Sequence, residues 1–175
     1  MKKINPKKEN KNLNFGDEEL ESFYKVVREY YENTPDNSED YYYGDYYNEP
    51  INKKIVKSIL DKTGKVLPQR SKELIDKDFL RKKYDIFNNA VEEKVWLTVN
   101  KAFQQLRTVE IEYFNMENAE FKKRKINIYH KSSKYIVAYC HLRKDMRKFR
   151  MSRINSAKLT NNKYKIPKNF DKNDY

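Results

Sequence analysis

The spacing of apolar residues divides this chain in two. In the first part they recur every three or four positions, the helical repeat. Residues 17–33, DEELESFYKVVREYYEN, place Phe23, Val26, Val27, Tyr30 and Tyr31 at that spacing, with acids in the first turn, where a helix N-terminus favours them. Residues 51–64 repeat the pattern through Ile51, Ile55, Ile59 and Leu60, with Gly64 as a C-terminal stop. Ser71 is suited to N-cap a further helix carrying Leu74, Ile75, Phe79, Ile86 and Phe87. The clearest stripe is Val91, Val95, Val99, Ala102, Phe103 and Leu106, which predicts a helix over 89–107 with Trp96 as a flanking core anchor.

At Thr108 the period falls to two. TVEIEYF (108–114) alternates Val109, Ile111 and Tyr113 with Glu110 and Glu112, the pattern of a half-buried strand. FKKRKINIYH (121–130), SKYIVAYCH (133–141), MRKFRM (146–151) and SAKLTNNKYKI (156–166) continue as strands joined by short links. Tyr135, Val137 and Tyr139 are expected on the core face. The fold class expected is α+β, a helical part over 17–107 followed by a small five-stranded SH3- or Sm-like barrel over 108–166. Residues 1–16 read as a disordered basic arm and 167–175 as a tail. Residues 34–50 form an acidic loop with five tyrosines, either a linker or a lid over a basic surface.

Charge sharpens this picture. The 175 residues carry a net +12, yet residues 122–168 alone hold 16 Lys and Arg against one acid, a net of +15. The rest of the chain is therefore slightly acidic, and residues 17–50 carry 11 acids against Lys25 and Arg28. Such asymmetry points to a polyanion partner for the basic segment. A single cysteine, Cys140, gives no internal disulfide, reads as a small buried hydrophobe, and fits a reducing, cytoplasmic setting. No apolar run is long enough for a membrane span, and no signal-peptide pattern opens the chain. One Cys and two His supply no zinc set, and with three glycines there is no phosphate-cradling loop. No cofactor, metal or catalytic constellation is expected, so the chain is not read as an enzyme.

The densest basic run is RKDMRKFRMSRI (143–154). Together with KYIVAYC (134–140) and the helix and strand before it, this constellation resembles a WYL domain, a small Sm-like barrel found mostly in bacterial transcriptional regulators. RKFRMSRI (147–154) fits that family's arginine-strand pattern, while Lys134 and Ile136 stand where its tryptophan and leucine would, leaving Tyr135. The resemblance covers about 60 residues and implies binding of nucleic acid or another anion by Arg143, Arg147, Arg150 and Arg153. Tyr135 and Lys134 lie on the signature strand, and Lys122, Lys123, Arg124 and Lys125 offer phosphate attraction from its neighbour. Arginine's planar fork pairs bidentately with phosphate and stacks on bases, which lysine cannot do.

The function expected is thus a non-enzymatic regulator that binds single-stranded nucleic acid or a nucleotide-like ligand, in transcription control or a response to phage or nucleic-acid stress. DNA itself is a further partner if 51–88 forms a divergent helix-turn-helix. The rival is a protein-interaction module acting through its helices and acidic segment, as a homodimer or on a regulatory partner. One difficulty stands in the arginine strand: alternation puts Arg147 on the same face as Phe149 and Met151.

Overall fold

The structure, a computed structural model, describes residues 14–34, 52–85 and 91–175. Most of the basic arm, nearly all of the tyrosine-rich loop, and Ile86 and Phe87 lie outside the described residues. The chain divides into two compact units, Met1–Ile75 and Asp76–Tyr175, and the division falls within a helix.

In the first unit, α1 (Asp17–Asn33) and α2 (Lys53–Val66) precede α3 (Gln69–Lys83). Tyr24, Val56, Leu60, Leu67 and Ile75 are buried. Gly64 does not stop α2, which runs on to Val66. A Cβ there would lie 3.1 Å from both the Tyr24 ring and the Lys72 side chain, so this glycine permits close packing rather than a turn. Nor does Ser71 cap α3. That helix begins at Gln69, directly after Pro68, whose carbonyl accepts the Lys72 N–H at 3.1 Å. Proline's fixed φ is pre-set for a helix start and overrides the serine.

The second unit holds the last turns of α3, then α4 (Glu93–Gln104) and five strands. These are β1 (Arg107–Asn115), β2 (Glu120–Lys131), β3 (Tyr135–Cys140), β4 (Asp145–Arg150) and β5 (Ile154–Lys163). All are antiparallel, in the order β4-β3-β2-β1-β5. The α+β class and the five strands are as the spacing predicts. The barrel is not closed, because β4 and β5 remain edges with no ladder between them.

The sheet is nevertheless strongly curled. Strands lie about 4.8 Å apart, so a flat five-stranded sheet would hold its edges about 19 Å from each other. The chain passes from β4 to β5 through one 3₁₀ turn, Met151–Arg153. Four Cα steps reach about 14 Å at full stretch, and a 3₁₀ turn less. Curling is therefore obligatory, and it brings β1 against β4. The Tyr113 and Phe149 rings meet edge-on at 5.1 Å, and the Arg150 backbone N–H donates to the Tyr113 hydroxyl at 3.2 Å.

Inside the curl lie Val109, Ile111, Ile126, Ile128, Ile136, Ala138, Cys140, Phe149, Met151 and Ile154, covered by Val95, Val99 and Ala102 of α4. Cys140 is fully buried, as expected. Two expectations are corrected. Strand β3 turns Ile136, Ala138 and Cys140 inward, so Tyr135 and Tyr139 lie half-buried on the opposite face, where Val137 alone of the three is buried as expected. Trp96 is 44% exposed rather than a core anchor, since the buried stripe of α4 runs through Val95 and Val99. Its ring lies under the Lys131 ammonium at 5.4 Å, and burial lowers the pKa of that lysine.

A smaller cluster on the other side of β1 and β2 joins Tyr84, Phe114 and Ala119 with Leu80 and Phe121. There the Arg81 Nε donates to the Met116 carbonyl at 3.3 Å, fixing the end of α3 to the β1–β2 turn.

Candidate nucleic-acid interface

Strand alternation sorts the basic residues onto two faces. On β2, Arg124 shares the inner face with Ile126 and Ile128, whereas Lys123 and Lys125 lie on the outer one. Arg124 is 8% exposed, its Nη1 is 3.9 Å from the Cys140 Sγ, and its buried Nε has no hydrogen-bond partner. It makes no ion pair with any described residue. A buried guanidinium without an anion is costly, by several kcal/mol in order of magnitude. Lys122, also on the inner side by alternation, stands opposite Tyr113.

On β4 the difficulty posed by alternation is resolved along the strand. Phe149 packs inside, opposite Ile136, while Arg147 lies two residues nearer the strand's start, opposite Ala138. There, on the edge strand, its side chain is 54% exposed, and its closest acid is Asp145 at 4.0 Å. Such an ion pair at the surface contributes little.

Arg150 takes the outer face opposite Tyr135. It is 8% exposed, its Nε donates to Ser152 at 3.0 Å, and its guanidinium lies 5.9 Å from the Tyr135 ring centre. The Lys148 ammonium, on the same face, is 5.2 Å from that ring. Arg143 is exposed in the β3–β4 turn, where Lys144 adopts a positive φ of 55°. Lys134 is exposed before β3, and its carbonyl accepts the Met151 N–H at 2.9 Å. Arg153, in the 3₁₀ turn, is partly buried and leaves its Nε unsatisfied.

Lys123 and Lys125 have different company. The register sets Lys123 beside Glu112 and Lys125 beside Glu110. From the other side β5 brings Ser156 to Glu112 and Lys158 to Glu110. Asn155 also donates to Glu112 at 2.7 Å. The structure thus gathers Arg150, Lys148 and Tyr135, puts Arg147 and Arg143 near the β4 edge, buries Arg124, and sets two lysines among glutamates. Lys148 and the Tyr113 hydroxyl were missed by the sequence reading. Counting by twos back from Arg150 would have found the lysine, while no local signal marks the tyrosine.

Residues 94–159 match the WYL domain family. All ten residues singled out above, from Lys122 to Arg153, fall inside the WYL match, as does α4 apart from Glu93. Among solved structures the chain is similar to proteasome accessory factor B/C (PafBC) of Arthrobacter aurescens, with 17% identity and a TM-score of 0.35. That alignment takes in 86% of this chain and 21% of that one, so the chain spans about a fifth of its length. No curated protein gives a significant match. Beyond the WYL segment, no helix among the described residues is long and apolar enough to cross a membrane. No group of three or more His, Cys, Asp or Glu gathers as a metal site among them either.

Proposed function

We propose that this chain is a non-enzymatic WYL-type regulator that binds nucleic acid or a nucleotide-like anion through β4 and its surroundings. One observation carries the reading. Arg124, Arg143 and Arg153 make no ion pair with a described residue, and Arg147 reaches only Asp145 at 4.0 Å. Cations left without carboxylates, one of them buried, are what an incoming polyanion would satisfy. The Lys148 ammonium beside the Tyr135 ring adds a cation and an aromatic ring of the kind that single-strand binders use. The WYL match supports the same conclusion, since proteins with this domain are mostly regulators. The setting proposed is cytoplasmic, in transcription control or a response to phage or nucleic-acid stress, without cofactor.

The test is a titration with single-stranded DNA, RNA and duplex at several salt concentrations. Neutralising four to six phosphates of a single strand gives a slope of log affinity against log salt of about −3 to −4. Measurable affinity with a slope near zero would sink the reading in favour of an uncharged ligand. A second reading, a protein-interaction module, is favoured by Trp96 and Leu97, both about half exposed on α4. It gains ground if no nucleic acid binds.

A further inference from the structure

The C-terminal segment returns across the outer face of the sheet, and its two ends are held differently. At Tyr164 it is fixed, since the backbone N–H donates to the Leu106 carbonyl at 2.9 Å and the hydroxyl donates to the Ile128 carbonyl. Beyond Tyr164, ring or hydrogen-bond contacts with the sheet occur at two points among the described residues. Phe170 packs edge-on against Tyr129 at 5.3 Å, and the Lys148 ammonium donates to the main-chain carboxylate oxygen of Tyr175 at 3.2 Å. The remaining bonds are the segment's own. The Phe170 N–H donates to the Pro167 carbonyl at 3.1 Å, Asp171 accepts the Asn173 N–H at 2.8 Å, and the Tyr175 ring stacks on Phe170 at 6.1 Å. Residues 171–175 are all exposed. A segment anchored at one end and lightly attached at the other is free to lift at low cost.

Its landing place is the cation and ring assigned above to a single strand. Tyr129 lies on β2 and Lys148 on β4, so the segment passes over β3, and the cleft beneath it has Tyr135, Lys148 and Tyr175 among its walls. To that place it brings what a strand would bring: a carboxylate where a phosphate would sit, and two stacked rings where neighbouring bases would. The side-chain charges of residues 167–175 cancel, Lys168 and Lys172 against Asp171 and Asp174, so no strong field holds the segment down. It also lies beyond the residues that match the WYL family.

We propose that residues 167–175 are an autoinhibitory strap, which occupies Lys148 and the space over Tyr135 until a nucleic-acid strand displaces it. The inference rests on the anion-binding reading above and adds a competitor within the chain. The affinity observed for a strand is then its intrinsic affinity multiplied by the fraction of molecules with the strap lifted. An aromatic pair contributes about two- to ten-fold to such an equilibrium, and an exposed ion pair up to about five-fold. The strap is therefore closed in most molecules, yet within reach of displacement by a strand that makes several phosphate contacts.

The experiment measures oligothymidylate binding to the full chain and to Phe170→Ala, which removes the contact with Tyr129 and the support of the Tyr175 ring. The variant should bind about three- to ten-fold more tightly. Binding by the variant alone supports the strap as well. Equal or weaker binding by the variant, with the unaltered chain still binding, overturns the strap and leaves the anion-binding reading standing. If neither binds, both fall together. The unaltered chain gives a second readout that does not depend on how the variant folds. Trypsin should cut after Lys168 and Lys172 several-fold faster once the strand is bound, because a lifted strap is a mobile one. Unchanged or slower cleavage means that the strand leaves the strap in place, and overturns the proposal.

Discussion

The two sides of this sheet use lysine in opposite ways. On β1, β2 and β5, Lys123, Lys125 and Lys158 stand opposite Glu112 and Glu110 in the ladder, so each has a carboxylate-bearing neighbour although no ion pair forms between them. On β4, Lys148 has the Tyr135 ring on its own face, and Arg147 has one distant carboxylate at 4.0 Å. The net charge of a stretch of sequence does not distinguish them. Glu110 and Glu112 precede residue 122 in the chain, yet they stand across the ladder from the lysines they offset. Charge summed along the sequence therefore overstates the field on one half of the sheet and describes it fairly on the other.

Experiments can break that contrast, beginning with the curl that creates it. Phe149→Ala removes the ring that meets Tyr113 across the sheet and should cost about 3–5 kcal/mol of stability, read from urea unfolding. A cost below about 1 kcal/mol would mean that the curl does not depend on this contact. Next comes the direct comparison. Arg147→Ala should weaken single-strand binding by about 1–3 kcal/mol with little change in melting temperature, because the side chain is exposed. Lys123→Ala should change binding by less than about 0.5 kcal/mol. Equal losses at the two positions would erase the distinction between the sides.

A smaller effect sharpens it. Glu110→Gln removes the negative charge that stands beside Lys125 and Lys158 in the ladder, and should tighten binding a few-fold at low salt, vanishing at high salt. Affinity independent of that substitution at every salt would show that the β1–β5 side takes no part.

The smallest prediction concerns pH. Burial pushes the Tyr164 phenol from its ordinary 10.0 up to about 12, with its bond to the Ile128 carbonyl present in the neutral form. The folded chain thus holds this proton more tightly than the unfolded one, so the associated stability is fully present below pH 10 and is lost between about pH 10 and 12. Tyr164→Phe should lose less stability over that window, measured by denaturation at each pH. Identical profiles would place the phenol in solvent.

Much of the architecture was legible in the spacing of residues. The switch of period at Thr108 marks the start of the sheet, and all five strands lie within a few residues of where alternation puts them. What escaped depends on neighbours distant in sequence. Alternation says that Tyr135 and Ile136 face opposite ways, but not which way is inward. That is decided by α4, which covers the face bearing Ile136. Gly64 reads as a helix stop until Tyr24 is seen against it. At the candidate site, the arginines could be read from the chain, whereas their division between two faces could not. The approach of Tyr175 to Lys148 required the returning segment, whose path no local pattern encodes.

The open sheet also bears on how copies of this chain treat one another. Strand β4 is an edge, and an unpaired edge is a template for adding another strand. Two such edges meeting would bring Arg147 and Lys148 of one copy close to the same residues of the next, and like charges side by side disfavour pairing. The cations proposed to hold a polyanion thereby disfavour edge-to-edge self-assembly of the bare protein. A bound polyanion would lift that guard, so the concentration of protein at which copies begin to associate should fall when nucleic acid is present and rise again when it is digested.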